Sequence, residues 1–273
     1  MAPSVCVCFL LERGSPPRVN PVIVEACEVL RRRGAVVAEL YAEEATLRLD
    51  ALRDTEPALA ADLVLLKSNT ELALSLAIAL EGLGTRVLNR AGAALLAQNK
   101  VLAAATLLRA GIPTPRSLAA GQPAQLAAEL AAGPLILKPY RGHYGLGVTV
   151  AERPDALPAA AVHPDLVFGQ RYLAAARTDL KVYAIGEEVF GIRKRFGPDS
   201  FRQDGELAPL SPAVEQIARR CGAAFGLELY GIDVAETADG PYVVDVNSFP
   251  GYRGVPEAAP RLAEYILRAA RGT

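Results

Sequence analysis

The sequence predicts an α/β protein that opens with a parallel sheet, and three observations predict it. Up to residue 90, short apolar runs alternate with segments of helical spacing, the pattern of a parallel sheet covered on both faces. Beyond Pro115 the alternation gives way to strands paired around glycines. At 273 residues, 51% of them hydrophobic and 22% charged, the chain has material for roughly two compact units with a substantial core.

Val5–Leu11 is the first strand. Pro21–Arg33 carries apolar residues at helical spacing and stops at Gly34, a helix-ending residue. Ala35–Tyr41 and Asp62–Lys67 are the next strands, Glu71–Leu83 is a helix closed by Gly84, and Arg86–Asn89 is a fourth strand. Ligands of such a sheet bind at the strands' carboxyl ends, where Arg13, Arg18, Lys67, Ser68 and Asn69 fall. A helix over Ala91–Ala110 follows, ended by Gly111, Pro113 and Pro115. Pro134–Pro139 and Gly147–Ala151 then read as strands flanking the loop RGHYGL, and Leu166–Leu173 as another strand. Leu180–Ile185 and Val189–Arg195 form a hairpin around Gly186. Pro212–Phe225 is a helix, Tyr230–Ala235 and Tyr242–Val246 a last strand pair, and Pro260–Arg271 the closing helix. The absence of a long low-complexity linker predicts tightly docked units.

Composition narrows the function classes. Twenty-nine Lys+Arg against 30 Asp+Glu leave a net charge of −1, which argues against a nucleic-acid coat but not against a local basic pocket. The start MAPSVCVCFLLERG lacks the basic opening of a secretory signal. LALSLAIAL, the longest apolar stretch, falls far short of the ~20 residues a bilayer requires, so no membrane partner is expected. Cys6, Cys8, Cys27 and Cys221 show no CxxC spacing and read as structural thiols in a reducing cytoplasm. Only five basic residues are lysines, so Lys67, Lys100, Lys138, Lys181 and Lys194 are candidates for places that need a compact ammonium.

Two constellations carry chemistry. Neither GxxxxGK[ST] nor a GxGxxG opening a helix is present. Instead, Lys138 stands at the mouth of a strand–loop–strand in which Gly142, Gly145 and Gly147 let backbone N–H groups approach an anion. A bare hairpin turn is the competing reading. The second constellation is Asp233 in YGIDVAE with Asp245 and Asn247 in VVDVNSFPGYRG. Asp245 and Asn247, two apart on a strand, share a face, and Asp233 joins them if the strands pair. Carboxylates in so apolar a setting are costly without a cation, and oxygen ligands suit Mg²⁺. A surface turn with incidental acids is the alternative.

In order and spacing these pieces resemble the ATP-grasp superfamily from about Val5 to Ile266. The matching segments are Gln98-Asn99-Lys100 with LLRAGIPTPRS, LILKPYRGHYGLGV, FGQRYL, TDLKVYAIGEEVFGIRKR, and GIDV with VVDVNSFPGYRG. The pattern is closest to the branch of ribosomal-protein glutamate ligases and lysine-biosynthesis ligases. The ending DVNSFPGYRGVP, with His143 five residues after Lys138, is also similar to inositol-polyphosphate kinases. The resemblance implies an ATP-grasp fold: an N-terminal parallel-sheet domain over 1–90, a central lid lobe over 91–169, and a C-terminal ATP- and metal-binding lobe over 170–273.

Carried over by position, the resemblance implies that Lys100 and Lys138 hold ATP phosphates beneath the loop of Gly142, His143, Gly145 and Gly147. It places Gln170, Arg171, Tyr172 and Leu173 as a hinge against adenine, and Asp179 and Lys181 at an Asp-x-Arg position. Arg193 would lie near the γ-phosphate, catalytic together with Lys138. Asp233, Asp245 and Asn247 would bind Mg²⁺, or Mn²⁺ in its stead. Lys181 departs from the family's arginine, and Asp245 from its more usual glutamate. The activity implied is an ATP-dependent carboxylate–amine ligase working through an acyl phosphate; the alternative is a kinase acting on a hydroxyl of an inositol phosphate or similar polyol. The partners are then ATP, a small-molecule or peptide carboxylate and an amine acceptor. Acceptor candidates are Arg13, Arg18, Lys67, Arg141, His143, Arg202 and Arg253, with Tyr144 and Tyr252 either shaping the pocket or packing in the core. His163 reads as solvated, and the helix Glu71–Leu83 as core or as the face of a homo-oligomer.

Overall fold

Four short apolar strands line up in parallel in the computed structural model, which describes residues 4–13, 20–141, 147–159, 166–173, 178–195 and 204–272. They are β1 (Cys6–Leu11), β2 (Val36–Tyr41), β3 (Leu63–Lys67) and β4 (Val87–Leu88), in the order β2-β1-β3-β4. Helix α1 (Pro21–Arg32) begins where Asn20 accepts a hydrogen bond from the Val22 amide, and buries Ile23, Ala26, Cys27 and Leu30 on one face of the sheet. After the short turn α2 (Leu52–Thr55), helix α3 (Glu71–Gly82), capped by Thr70, covers the other face with Ala73, Leu74, Leu76, Ala77 and Leu80. It leaves Leu72 and Ile78 exposed.

The helix expected over Ala91–Ala110 is two helices. α4 (Ala91–Gln98) and α5 (Lys100–Arg109) meet at 99°. Asn99 is extended there, and its side chain accepts from the amides of Val101 and Leu102 as the cap of α5. The bend puts Lys100 at a helix start, facing the rest of the molecule. Among the described residues, no single helix is long and apolar enough to cross a membrane.

The central sheet is antiparallel in the order β5-β8-β6-β7: β5 (Ser117–Ala120), β6 (Leu135–Lys138), β7 (Thr149–Ala151) and β8 (Val167–Arg171). β5 and the 3₁₀ segment Pro123–Ala132 had no counterpart in the sequence reading, because their Ala-rich runs lack period-two alternation. The residue 169/170 division falls inside β8.

The third sheet runs β11-β10-β9-β12-β13, all antiparallel, from β9 (Thr178–Ile185), β10 (Glu188–Arg195), β11 (Glu206–Ala208), β12 (Leu229–Thr237) and β13 (Gly240–Ser248). Helix α6 (Pro212–Phe225) packs Val214, Ile217, Ala218, Cys221 and Phe225 onto one face. Gly222 is needed there: a Cβ would lie 2.6 Å from the Tyr230 hydroxyl, which donates to Ala218 O. On the opposite face, Tyr183, Ile185 and Ile192 share one core with Val7 and Phe9 of β1, with α1, and with Leu262 and Ile266 of α7 (Ala258–Arg271). Buried Asn89 fastens the first sheet to the third, donating to Leu229 O and accepting from the Glu228 and Leu229 amides. All four cysteines are free; burial pushes the thiols of Cys8, Cys27 and Cys221 up to about 12.

Candidate functional site

The two strands at the edge of the third sheet decide where the acids point. β12 and β13 pair with Asp233 directly across from Asp245, and Asn247 lies opposite Gly231, two residues further along the same face. A bulge follows Asp233, so that Val243 and Val246 both remain in the apolar core while the acids face away from it. Each carboxylate carries a lysine. Lys100 Nζ lies 2.8 Å from Asp245 Oδ1, and Lys181 Nζ lies 2.8 Å from Asp233 Oδ2. Burial alone would raise the Asp245 pKa, but the charges of Lys100 and Lys138 outweigh it and hold the carboxyl below its usual range.

Lys138, at the end of β6, reaches from the central sheet to the third. Its Nζ donates to Gln170 Oε1 at 2.8 Å and to Val244 O at 3.1 Å. Burial lowers its pKa first, and the charge of Lys100 adds to that; Asp245 and Asp233 oppose it. Three ammonium groups from three different elements thus converge on one carboxylate pair.

The donor set fits a hard divalent cation. It consists of oxygens only, from two carboxylates and one amide, and in this structure ammonium ions supply the positive charge the carboxylates need. Among the described residues no further His, Cys, Asp or Glu completes a three-residue cluster, which leaves Asn247 as the third protein donor. Asn247 lines a cavity of about 140 Å³ with Lys100, Gln98, Arg141 and Asn69. A larger groove of about 970 Å³ lies elsewhere, against Arg86, Arg261 and Tyr265; the convergent buried charges are at the smaller site.

The remaining candidates divide. Gln170 is buried with its side chain bonded to Lys138 and Ser117, and its strand sits between β5 and β6. Arg171 is occupied with the carbonyls of Glu129, Gly133 and Pro134, closing the 3₁₀ segment. Tyr172 and Leu173 lie just past the strand, and Tyr172 is exposed. Gly147 adopts a φ of 71° at the loop's end, whereas Gly142, His143, Tyr144 and Gly145 lie outside the described residues, as do Arg18, His163 and Arg202. Asp179 is in β9 opposite Lys194, and its side chain is likewise outside the described set.

Register separates Arg193 from the acid pair. Arg193 lies across from Leu180, which faces the α6 core, and its guanidinium donates to Glu236 at 2.8 Å. Ile192 lies across from Lys181 and Lys194 across from Asp179, so Lys194 is the β10 side chain on the face of Asp233. Sequence reasoning left Lys194 unassigned, although its position one residue on from Arg193 was a usable signal.

Of the acceptor candidates, Arg141 donates to Gln98 Oε1 at 3.0 Å and Asn69 O at 3.3 Å and pairs with Glu71, joining the central sheet to the first. Lys67 lies 5.8 Å from the Phe249 ring centroid, its pKa lowered by burial against a smaller opposing effect of Glu12. Arg253 pairs with Asp204 at 3.3 Å. Arg13 is at the surface with Glu44 and Tyr41. Tyr252 packs in the core instead of lining a pocket: it is fully buried and its hydroxyl donates to Ala184 O at 3.0 Å.

Comparison with known proteins bears on this arrangement. The family model described as a RimK-like ATP-grasp domain matches residues 97–268. A probable alpha-L-glutamate ligase of Haemophilus influenzae is 32% identical over 202 residues, 67% of this chain and 66% of that protein. The chain therefore spans about two thirds of the length of such relatives. A RimK domain ATP-grasp protein from Sphaerobacter thermophilus superposes with a TM-score of 0.76 at 24% identity, covering 96% of this chain and 100% of the other. D-alanyl-alanine synthetase A from Vibrio cholerae superposes with a TM-score of 0.73 at 16% identity, covering 100% and 99%. At such identities the superpositions speak to the fold, and the fold is that of the ATP-grasp proteins.

Proposed function

We propose, from the premise that this chain belongs to the RimK-like ATP-grasp family, that it is an ATP-dependent ligase joining a carboxylate to an amine. One observation carries the reading: the cross-strand pair Asp233–Asp245, met by Lys100, Lys138 and Lys181. Such a pair binds a divalent cation on its oxygens and polyphosphate on its ammoniums.

Asp233, Asp245 and Asn247 would hold Mg²⁺, which when bound neutralises phosphate charge and polarises the γ-phosphoryl group. Lys100 and Lys181, which balance those carboxylates here, would be available to phosphate oxygens where a cation balances the carboxylates instead. Lys138, anchored on Gln170 and Val244, would offer its remaining N–H to a phosphate oxygen. Tyr172 and Leu173 offer the adenine an edge beyond β8. A substrate carboxylate attacks the γ-phosphorus in line, giving an acyl phosphate and ADP; an amine then attacks the acyl carbon, expels phosphate and leaves an amide. The protein supplies position and charge and needs no nucleophile of its own. Its free thiols suit a reducing compartment such as the cytoplasm.

Relatives named as ligases support ligation over transfer to a polyol hydroxyl. The test is trapping: with Mg²⁺, ATP and a panel of acids, hydroxylamine should yield acyl hydroxamates in step with ADP. ADP release that depends on inositol phosphates, with no hydroxamate from any acid, would establish the kinase instead.

A further inference from the structure

Ser117 of β5 has no part in the ligand set, yet it belongs to a chain of hydrogen bonds that ends on the Lys138 ammonium. Strand pairing sets up the chain. Ser117 lies directly across from Gln170 of β8, and Lys138 lies two residues past Ile136, the residue across from Gln170 on β6. Directly opposed residues, and residues two apart on a strand, share a face, so the three polar side chains meet on one side of the central sheet. Lys138 Nζ donates to Gln170 Oε1 at 2.8 Å, Gln170 Nε2 donates to Ser117 Oγ at 3.3 Å, and Ser117 Oγ donates to Pro115 O at 3.0 Å.

The donors and acceptors give the chain one direction. An ammonium has no lone pair, so Lys138 needs the oxygen of the Gln170 amide, and the amide NH₂ is then turned to Ser117. Pro115 O can only accept, so it takes the one hydroxyl proton of Ser117 and leaves that oxygen's lone pairs for Gln170. Gln170 is 4% exposed, so an amide that lost its partner on β5 has little water to replace it. Lys138 donates to Val244 O at 3.1 Å as well, which leaves one N–H of its three.

We propose that Ser117 is a positioning residue: through the Gln170 amide it fixes the direction of the Lys138 ammonium, and with it the place where the remaining N–H meets a phosphate oxygen. This rests on the reading of Lys138 as a phosphate-binding group.

A positioning serine and a merely structural one differ in what Gln170→Glu does to them. A carboxylate presents an oxygen to Lys138 whichever way it turns, so it needs no orienting partner. Calorimetric titration of the full chain with a non-hydrolysable ATP analogue and Mg²⁺ reads the effect. Ser117→Ala should weaken binding about two- to tenfold, the range of one neutral hydrogen bond, and Ser117→Thr, which keeps the hydroxyl, should restore it. In a Gln170→Glu background the same Ser117→Ala change should leave affinity nearly unaltered. A loss of equal size in that background overturns the proposal, as does a loss that Ser117→Thr fails to restore; should Gln170→Glu not fold, the Ser117→Thr comparison decides alone. Nucleotide binding that Ser117→Ala leaves intact overturns the proposal and spares the ligase reading, whereas wild-type protein that binds no nucleotide overturns both.

Discussion

Replacing Lys194 by Met should make the protein more stable at neutral pH. Met keeps the apolar stem and removes a charge that burial penalises. Burial, with Lys181 and Arg253 as like charges, brings the ammonium from its ordinary 10.5 to about 8, against an opposing effect of Asp233. At about 1.4 kcal/mol per pH unit that difference is at most about 3 kcal/mol, and discounted for the solvent that screens the ammonium it leaves about 1.5 kcal/mol. The sign follows from proton binding. Below about pH 8 the lysine is charged in both states and the full penalty applies; from about 8 to 10.5 the folded form sheds its proton first, and wild-type stability recovers. Urea denaturation reads this directly: with an m-value of about 3 kcal/mol/M, the Lys194→Met midpoint should lie about 0.5 M higher at about pH 7 and converge with wild type near pH 10.5. A variant no more stable than wild type at neutral pH, or a gap unchanged by pH, would refute the reasoning.

Three further outcomes are expected. Asn89→Ala should cost about 2–4 kcal/mol in the same denaturation assay, because it leaves the Glu228 and Leu229 amides unsatisfied at a seam between sheets; a loss under about 0.5 kcal/mol would mean the seam does not depend on it. Ellman's reagent should reach Cys6 but leave Cys8, Cys27 and Cys221 silent in folded protein, since burial holds those thiols at about 12. A thiol reagent that stopped turnover without unfolding the chain would contradict the absence of a cysteine role. Asp245→Ala should destabilise the ligand-free protein by about 2–4 kcal/mol by leaving Lys100 and Lys138 unbalanced, and Lys100→Met should restore part of that loss. The ionised Asp245 helps stability above the ordinary carboxylate pKa, and that help should fade as pH falls through its depressed value.

Much of the site was legible because its chemistry follows from strand parity. Asp245 and Asn247 share a face whatever the register, and Asp233 needed only the pairing of two adjacent apolar strands. Arg193 shows the limit: its facing depends on how β10 pairs with β9, and a one-residue difference moves a side chain to the opposite face. The break at Asn99 was hidden inside a continuous helical pattern, though an Asn followed by an apolar run is itself a cap signal. Arg171 and Tyr252 were beyond sequence reasoning, because their partners, the carbonyls of Glu129 and Ala184, are set by tertiary packing alone.

The most direct measurement is ATP titration by calorimetry in Mg²⁺ and again in EDTA, on wild type and on Asp233→Asn. Wild type should bind ATP far more tightly with Mg²⁺, and Asp233→Asn should lose that difference while remaining folded. ATP affinity that is identical with and without the metal, or a metal dependence that survives in Asp233→Asn, would contradict the assignment of the acid pair.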